Sequence, residues 1–296
     1  MSVQAFVDYL SHEKNYSEHT VNAYKKDIER FSKFCFDKHE EANIDKINYA
    51  IIRSWVVILV DENISNRSIN RKIASLKAYY KFLQRTGSIE FNPLSRHKAL
   101  KTSKKIEVPF SEEEMKALLS QIPFENDFEG ARNQLIIELL YATGMRRSEL
   151  INLKIEDIDL RNNLVKVLGK RNKERFVPLL DSTGILFRDY LEKRELLDTI
   201  LEKGYIFLTK SGDKIYGTLV YRVINHYLSM VSSKSKRSPH ILRHTFATHL
   251  LNKGADLNSV KELLGHSSLA STQVYTHNSI AELKKVHSIS HPRSKD

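Results

Sequence analysis

"SPHILRHTFATHLLNKGADLNSVKELLGHSSLASTQVYTH" (238–277) opens on three histidines and an arginine within eleven residues and closes on a tyrosine. Pro239 stands where a helix would begin, and the apolar positions predict helices over 240–252 and 256–264, with Gly265 as the stop. His240 and His244 are four apart, the spacing of zinc ligands on a helix. The residues between them argue against a metal. Position 241 is Ile where a zinc hydrolase needs Glu, and Arg243 would set a guanidinium beside a dication. A fixed planar cation next to a side chain that exchanges a proton near neutral pH suits a phosphate anion instead. His240 and Arg243 lie one turn apart near a helix N-terminus that favours anions. His244 and His249 read as packing or supporting groups.

Upstream segments point to the same kind of site. In "ATGMRRSEL" (142–150), Gly144 permits a tight turn and Arg146 begins a helix. "DIDLRNNLVKVLGKRNKERFVPL" (157–179) alternates apolar and polar residues around Asn-Asn and Gly-Lys-Arg-Asn turns, so it predicts a small antiparallel sheet of two or three strands. Lys170 sits at the second hairpin tip, where a lysine reaches a ligand; Lys173 is the rival three residues on. His266 follows the glycine stop, and Tyr275 lies beyond it. The remainder of 110–296 is helical, starting from a capping box of Ser111 and Glu114, with further helices near 128–142, 181–198 and 216–232.

The first third of the chain is different. A short helix, one over 17–34 with Ser17 as N-cap, one near 47–60 and one over 66–87 make an all-helical domain of four helices. Residues 1–66 hold 8 basic and 11 acidic side chains, whereas residues 67–105 hold 11 basic side chains against Glu90 alone. That stretch therefore carries nearly all of the net +11 charge. On helix 66–87, Ile69, Ile73, Leu76, Tyr80 and Leu83 share one face, and Arg67, Arg71, Lys77, Lys81 and Arg85 share the roughly opposite one. One face packs, and the other either meets phosphates, with Lys25 and Lys26 of the second helix as further candidates, or is an ordinary solvated face. "FNPLSRHKALKTSKKIEVP" (91–109) reads as a basic, extended linker. The expected organisation is an all-helical first domain over 1–90, a linker over 91–109 and a second, mostly helical domain over 110–296.

Composition narrows the class further. An excess of positive charge of this size points to a polyanion, with nucleic acid the default. Cys35 is the single cysteine, so neither an internal disulfide nor a multi-cysteine metal site is expected, which fits a reducing, cytoplasmic setting. The longest apolar run, "WVVILV" (55–60), is far short of a membrane span. Asp8 and Glu13 interrupt the N-terminus, which does not read as a signal peptide.

In this order, Arg146, Lys170, His240, Arg243, His266 and Tyr275 resemble the catalytic set of the tyrosine recombinase (phage integrase) family. The wording of "ATGMRRSELINL", "VLGKRNKERFVPL" and 238–277 resembles its Xer branch. The resemblance implies a mainly α fold: a four-helix SAM-like core-binding domain, then a mostly helical catalytic domain with a small antiparallel sheet, together clamping a duplex. It implies Tyr275 as the nucleophile that forms a 3′-phosphotyrosyl bond. Arg146 and Arg243 would neutralise the phosphate, His240 take the tyrosine proton, Lys170 act as general acid and His266 hydrogen-bond the scissile phosphate. No cofactor and no metal are implied. The implied partners are a double-stranded DNA recombination site, a tetramer on that DNA, a sister recombinase and an FtsK-like translocase. The four-helix domain starts almost at residue 1, leaving an arm-binding domain no room in this sequence. That favours a simple enzyme resolving chromosome or plasmid dimers over the integrase of a mobile element. A type IB topoisomerase and a non-catalytic DNA-binding regulator are the remaining alternatives. In "NSIAELKKVHSISHPRSKD" (278–296), Ile280, Leu283 and Val286 form a short apolar stripe that must dock somewhere. The resemblance implies docking on a neighbouring subunit, with docking on the protein's own catalytic domain as the alternative.

Overall fold

The computed structural model describes residues 2–103, 107–169, 173–265 and 277–295, with side chains from 283 to 293 in the last segment. The chain divides into two compact units, Met1–Lys105 and Ile106–Asp296.

Among the described residues the first unit has four α-helices: α1 (Ser2–Asp8, continued by a π-helical turn over Tyr9–Glu13), α2 (Glu18–His39), α3 (Tyr49–Asp61) and α4 (Asn66–Arg85). Side-chain oxygens start two of them: Asn48 accepts from the Ile51 amide at 3.1 Å and Ser65 from the Ser68 amide at 3.3 Å. Ser17 does occupy the N-cap of α2, but its hydroxyl pairs with Thr20 Oγ1 at 3.0 Å and makes no bond to a backbone amide. Helix α4 buries Ile69, Ile73, Leu76, Tyr80 and Leu83 against a core that includes Phe31 and Trp55. Its other face leaves Arg67, Arg71, Lys77, Lys81 and Arg85 exposed, as the periodicity predicts. The basic stretch after α4 does not leave this unit at once. Leu94 is buried in the same core, and the Asn70 amide exchanges hydrogen bonds of 2.8 Å with both backbone groups of Leu100. These contacts tie the stretch to α4 as far as Lys101, whose carbonyl accepts from Asn66.

The second unit starts at α5 (Glu112–Ser120), where the Ser111–Glu114 capping box is formed. Helix α6 (Phe128–Thr143) follows. It is buried all round in its second half, so it is the axis of the core. A short α7 (Arg147–Ile151) leads into an antiparallel sheet of β1 (Ile158–Asp159), β2 (Leu164–Leu168) and β3 (Glu174–Pro178), in that spatial order. Val165 faces Val177 and Val167 faces Arg175 across β2–β3, all four buried. Helices α8 (Asp181–Glu195), α9 (Gly217–Val231), α10 (Pro239–Asn252), α11 (Leu257–Leu264) and α12 (His277–Ser290) complete the unit.

Helix α12, the tail, packs on its own domain. Leu283 lies in the second core, with Val286 against it. His287 Nε2 donates to the Ala142 carbonyl at 2.7 Å, and Arg293 meets buried Glu138 at 3.2 Å. The docking that the apolar stripe requires is thus satisfied within one chain; the Ile280 side chain lies outside the described residues.

Candidate active site

Gly144 begins the site. It ends α6 in the left-handed region (φ 60), and a Cβ there would fall 2.4 Å from Phe246 Cδ1. Only glycine makes this turn and this approach together. The turn sets Arg146 at the N-cap of α7 and aims the Gly144 carbonyl at α10, where Arg243 Nη1 donates to it at 2.7 Å. Arg243 Nη2 donates to the Leu264 carbonyl at 2.6 Å, at the end of α11. Arg146 Nη2 reaches the next carbonyl, that of Gly265, at 3.5 Å. The two guanidiniums therefore converge on the last turn of α11.

Their electrostatics differ. Arg243 is 7% exposed, and burial together with neighbouring Arg146 pulls its pKa down to about 10. It is still a cation at neutral pH, but one whose charge its surroundings disfavour. An anion arriving between the two arginines relieves that penalty. Arg146 is more exposed and is held by Glu149. One carboxylate oxygen accepts from Arg146 Nη1 at 2.7 Å, the other from the Arg146 amide at 2.7 Å. Glu149 is itself buried, and burial works against its charge. Arg175 and Arg146 outweigh that and hold its pKa below the ordinary carboxylate range.

His240 is exposed in the first turn of α10, one turn before Arg243, with Pro239 at the first helical position. His244 is exposed too. His249 is buried and structural: its Nε2 donates to the Phe110 carbonyl and its Nδ1 accepts from the Tyr141 hydroxyl, both at 2.9 Å. Beyond the paired ends of β2 and β3, the Gly169 amide donates to the Lys173 carbonyl at 2.7 Å. Gly169 and Arg146 line the same open cleft, of about 470 Å³. Lys170, His266 and Tyr275 lie outside the described residues. Gly169 and Gly265, which precede the first two, are within them, and α12 begins two residues after Tyr275. No cluster of metal-ligating side chains occurs among the described residues.

In the first unit, three of the basic candidates have partners. Arg71 grips Asp27 with two bonds, at 2.6 and 3.0 Å, and Lys72 and Ser75 complete the surroundings of this buried carboxylate. Arg85 donates to the Tyr9 hydroxyl at 3.3 Å. Lys25 lies 3.9 Å from Glu29, and Lys26, Arg67, Lys77 and Lys81 are exposed.

Sequence reasoning missed Glu149 and Arg175. The signal for Arg175 was present: in the strand "ERFVP" it falls on the same parity as Val177, which puts a charge on the buried face.

Residues 124–282 match the Phage integrase family, and residues 3–87 match the Phage integrase, N-terminal SAM-like domain. The chain is 38% identical to the tyrosine recombinase XerC of Chlorobaculum tepidum, an alignment covering 98% of this chain and 94% of the relative. It is also 38% identical to the tyrosine recombinase XerC of Oceanobacillus iheyensis, over 99% and 96%. Among solved structures, XerH site-specific recombinase bound to a palindromic difH substrate is similar in fold, with TM-score 0.72, 23% identity and coverage of 97% of this chain and 84% of that one. The Tn1549 transposon integrase in complex with transposon right end DNA has TM-score 0.71, 22% identity and coverage of 96% and 99%. No helix among the described residues is long and apolar enough to cross a membrane.

Proposed function

The chain belongs to the phage integrase family and is a tyrosine-type site-specific DNA recombinase, and from that premise we propose that its Arg146–Arg243 pair clamps a scissile phosphate for attack by Tyr275. The observation that carries this reading is the buried Arg243, a cation disfavoured by burial and by Arg146 and anchored to the carbonyls of Gly144 and Leu264. Such a group is organised in advance for an anion.

The Tyr275 oxygen bonds to phosphorus, and the bond from phosphorus to the 5′-oxygen breaks. The tyrosine proton passes to His240, and Lys170 protonates the departing 5′-oxygen. Arg146 and Arg243 neutralise the equatorial oxygens, and His266 donates to the same phosphate. One phosphodiester bond is exchanged for another of similar energy, so the reverse attack by a 5′-hydroxyl reseals the strand without ATP. The exposed basic face of α4, Arg67, Arg71, Lys77, Lys81 and Arg85 with Lys25 and Lys26, would hold the duplex backbone. Residues 1–90 would form the core-binding domain and 110–296 the catalytic one, with 91–109 between.

The biological task we assign is resolution of chromosome or plasmid dimers in the cytoplasm. It calls for a tetramer on paired sites, alone or with a sister recombinase, under an FtsK-like translocase. For α12 to link subunits, it must exchange its contacts on its own core for equivalent ones on a neighbour.

The test begins with duplexes selected by binding from a random library. Two copies of the selected site are then placed in direct repeat on a supercoiled plasmid. The expected result, in EDTA and without nucleotide, is two circles. Relaxation without exchange would replace the reading with a topoisomerase, and binding with no covalent adduct on a nicked duplex would replace it with a regulator.

A further inference from the structure

We propose that Arg175 is a positioning residue of the strand-cleavage reaction, setting Arg146 through Glu149 and Arg243 through the last turn of α11. The inference rests on the recombinase reading above. Arg175 lies on β3 and is 4% exposed. Each nitrogen of its guanidinium is used. Nη1 and Nη2 donate to the two Glu149 oxygens at 3.1 and 2.8 Å, and Nε donates to the Leu263 carbonyl at 2.9 Å. The first pair fixes the carboxylate that holds both the backbone and the side chain of Arg146. The third fixes the residue next to Leu264, whose carbonyl holds Arg243. One side chain thus reaches both phosphate-binding arginines without being one of them.

Two glycines mark how closely the site is built around it. A Cβ on Gly265 would lie 3.1 Å from Arg175 Cδ and Nη1, and one on Gly169 would lie 3.6 Å from Nη1. These are the residues that immediately precede His266 and Lys170.

Charge explains why an arginine stands on an inward strand position. Buried ion pairs are not needed for stability, since packed apolar groups of similar volume serve as well. With Arg175 absent, Glu149 would offset one of the two remaining guanidiniums, Arg146 above all, and leave a single net positive charge for the phosphate. With Arg175 bidentate on Glu149, three guanidiniums against one carboxylate leave two net positive charges at the site. Arg175 therefore frees Arg146 to act on the substrate.

The test is single-turnover cleavage of a suicide duplex by full-length protein, comparing wild type with Arg146→Ala, Arg175→Met and Arg175→Lys. Arg175→Met should bind the duplex as wild type does, yet cleave roughly 10²–10³-fold more slowly, the loss seen when one preorganised charge-stabilising group is removed. Arg175→Lys, which keeps the charge but not the fork, should recover part of that rate. The deciding readout is a duplex with a neutral methylphosphonate at the scissile position. There the defects of Arg146→Ala and Arg175→Met should shrink together, because less charge needs neutralising. Equal defects of Arg175→Met on both substrates would mean a merely structural role and overturn the proposal, as would a wild-type rate. If Arg175→Met does not fold, the soluble Arg175→Lys decides on the same two substrates. Absence of any wild-type adduct would overturn the recombinase reading and this inference with it; a wild-type adduct with an unaffected Arg175→Met overturns this inference alone.

Discussion

Gly144→Ala tests the turn on which the site is built. Two terms oppose alanine there. The left-handed backbone, φ 60, costs an L-residue roughly 1–2 kcal/mol. The new methyl would meet Phe246 Cδ1 at 2.4 Å and Leu264 Cδ2 at 2.8 Å, both on fully or nearly buried side chains. Forcing a methyl into such packing adds about 1–3 kcal/mol. The control is Gly254→Ala: its φ of 85 carries the same backbone term, but nothing lies within 4 Å of its Cβ. For a domain of this size, each kcal/mol moves Tm by ~2–4 °C, so the expected falls are on the order of 4–20 °C for Gly144→Ala and 2–8 °C for Gly254→Ala. Calorimetry reads the transition. Trp55, the single tryptophan, lies in the first unit's core and identifies that unit's transition by fluorescence. Cleavage should drop in Gly144→Ala, because the Gly144 carbonyl holds Arg243, and stay normal in Gly254→Ala. Equal Tm shifts in the two variants would refute the packing argument.

Neutralising Arg67, Lys77 and Lys81 together to glutamine should lower the slope of log K against log salt by roughly 2.7, at about 0.9 per phosphate contact, in DNA-binding titrations; an unchanged slope would mean that this face is only solvated. Asp27→Ala should destabilise the first unit by about 3 kcal/mol, read by Trp55 fluorescence in denaturant. It leaves Lys72, 12% exposed, without its carboxylate, while Arg71 at 52% can turn to water. The tail should undock in acid. His287 and His291 are buried beside α6, near His249, Arg293 and Glu138, and burial lowers both histidine pKa values below the ordinary 6.5. The docked state thus binds fewer protons than the free one. Its stability is complete above about 6.5 and falls as pH drops through that value, by up to ~1.4 kcal/mol per pH unit for each histidine. Hydrogen exchange of α12 amides at pH 7.5 and 5.5, corrected for intrinsic rates, checks this; equal protection would contradict it.

What the sequence revealed, and what it hid, follows from the range of each signal. Helix α4 was legible because its apolar and basic residues separate at a period that any helix imposes. The arginines of the site were legible because Gly144 and Pro239 announce the turn and the helix start that carry them. Glu149 was not, since its meaning is a contact with Arg175 across 26 positions; the parity of Arg175 with Val177 marked a charge on the buried face but named no partner for it. The tail's stripe required docking but carried no information about where; buried His287, Ser290 and His291 supply that. Likewise, proline and lysine between 91 and 109 read as a linker, while Asn70 and Leu94, which fasten its first part to α4, look unremarkable in sequence. Ser17 has the right residue type for a cap, yet Thr20 three positions on competes for its hydroxyl.

The central claim, that Tyr275 is the nucleophile of a phosphate clamped by Arg146 and Arg243, is tested most directly by mapping the covalent intermediate. Wild-type protein trapped on a nicked suicide duplex, digested with trypsin and analysed by mass spectrometry, should yield the peptide Glu262–Lys284 carrying a nucleotide on Tyr275 through a 3′-phosphate, with a free 5′-hydroxyl on the released strand. Tyr275→Phe should give no adduct while still binding the duplex. An adduct on any other residue, or a 5′-linked one, would contradict the account.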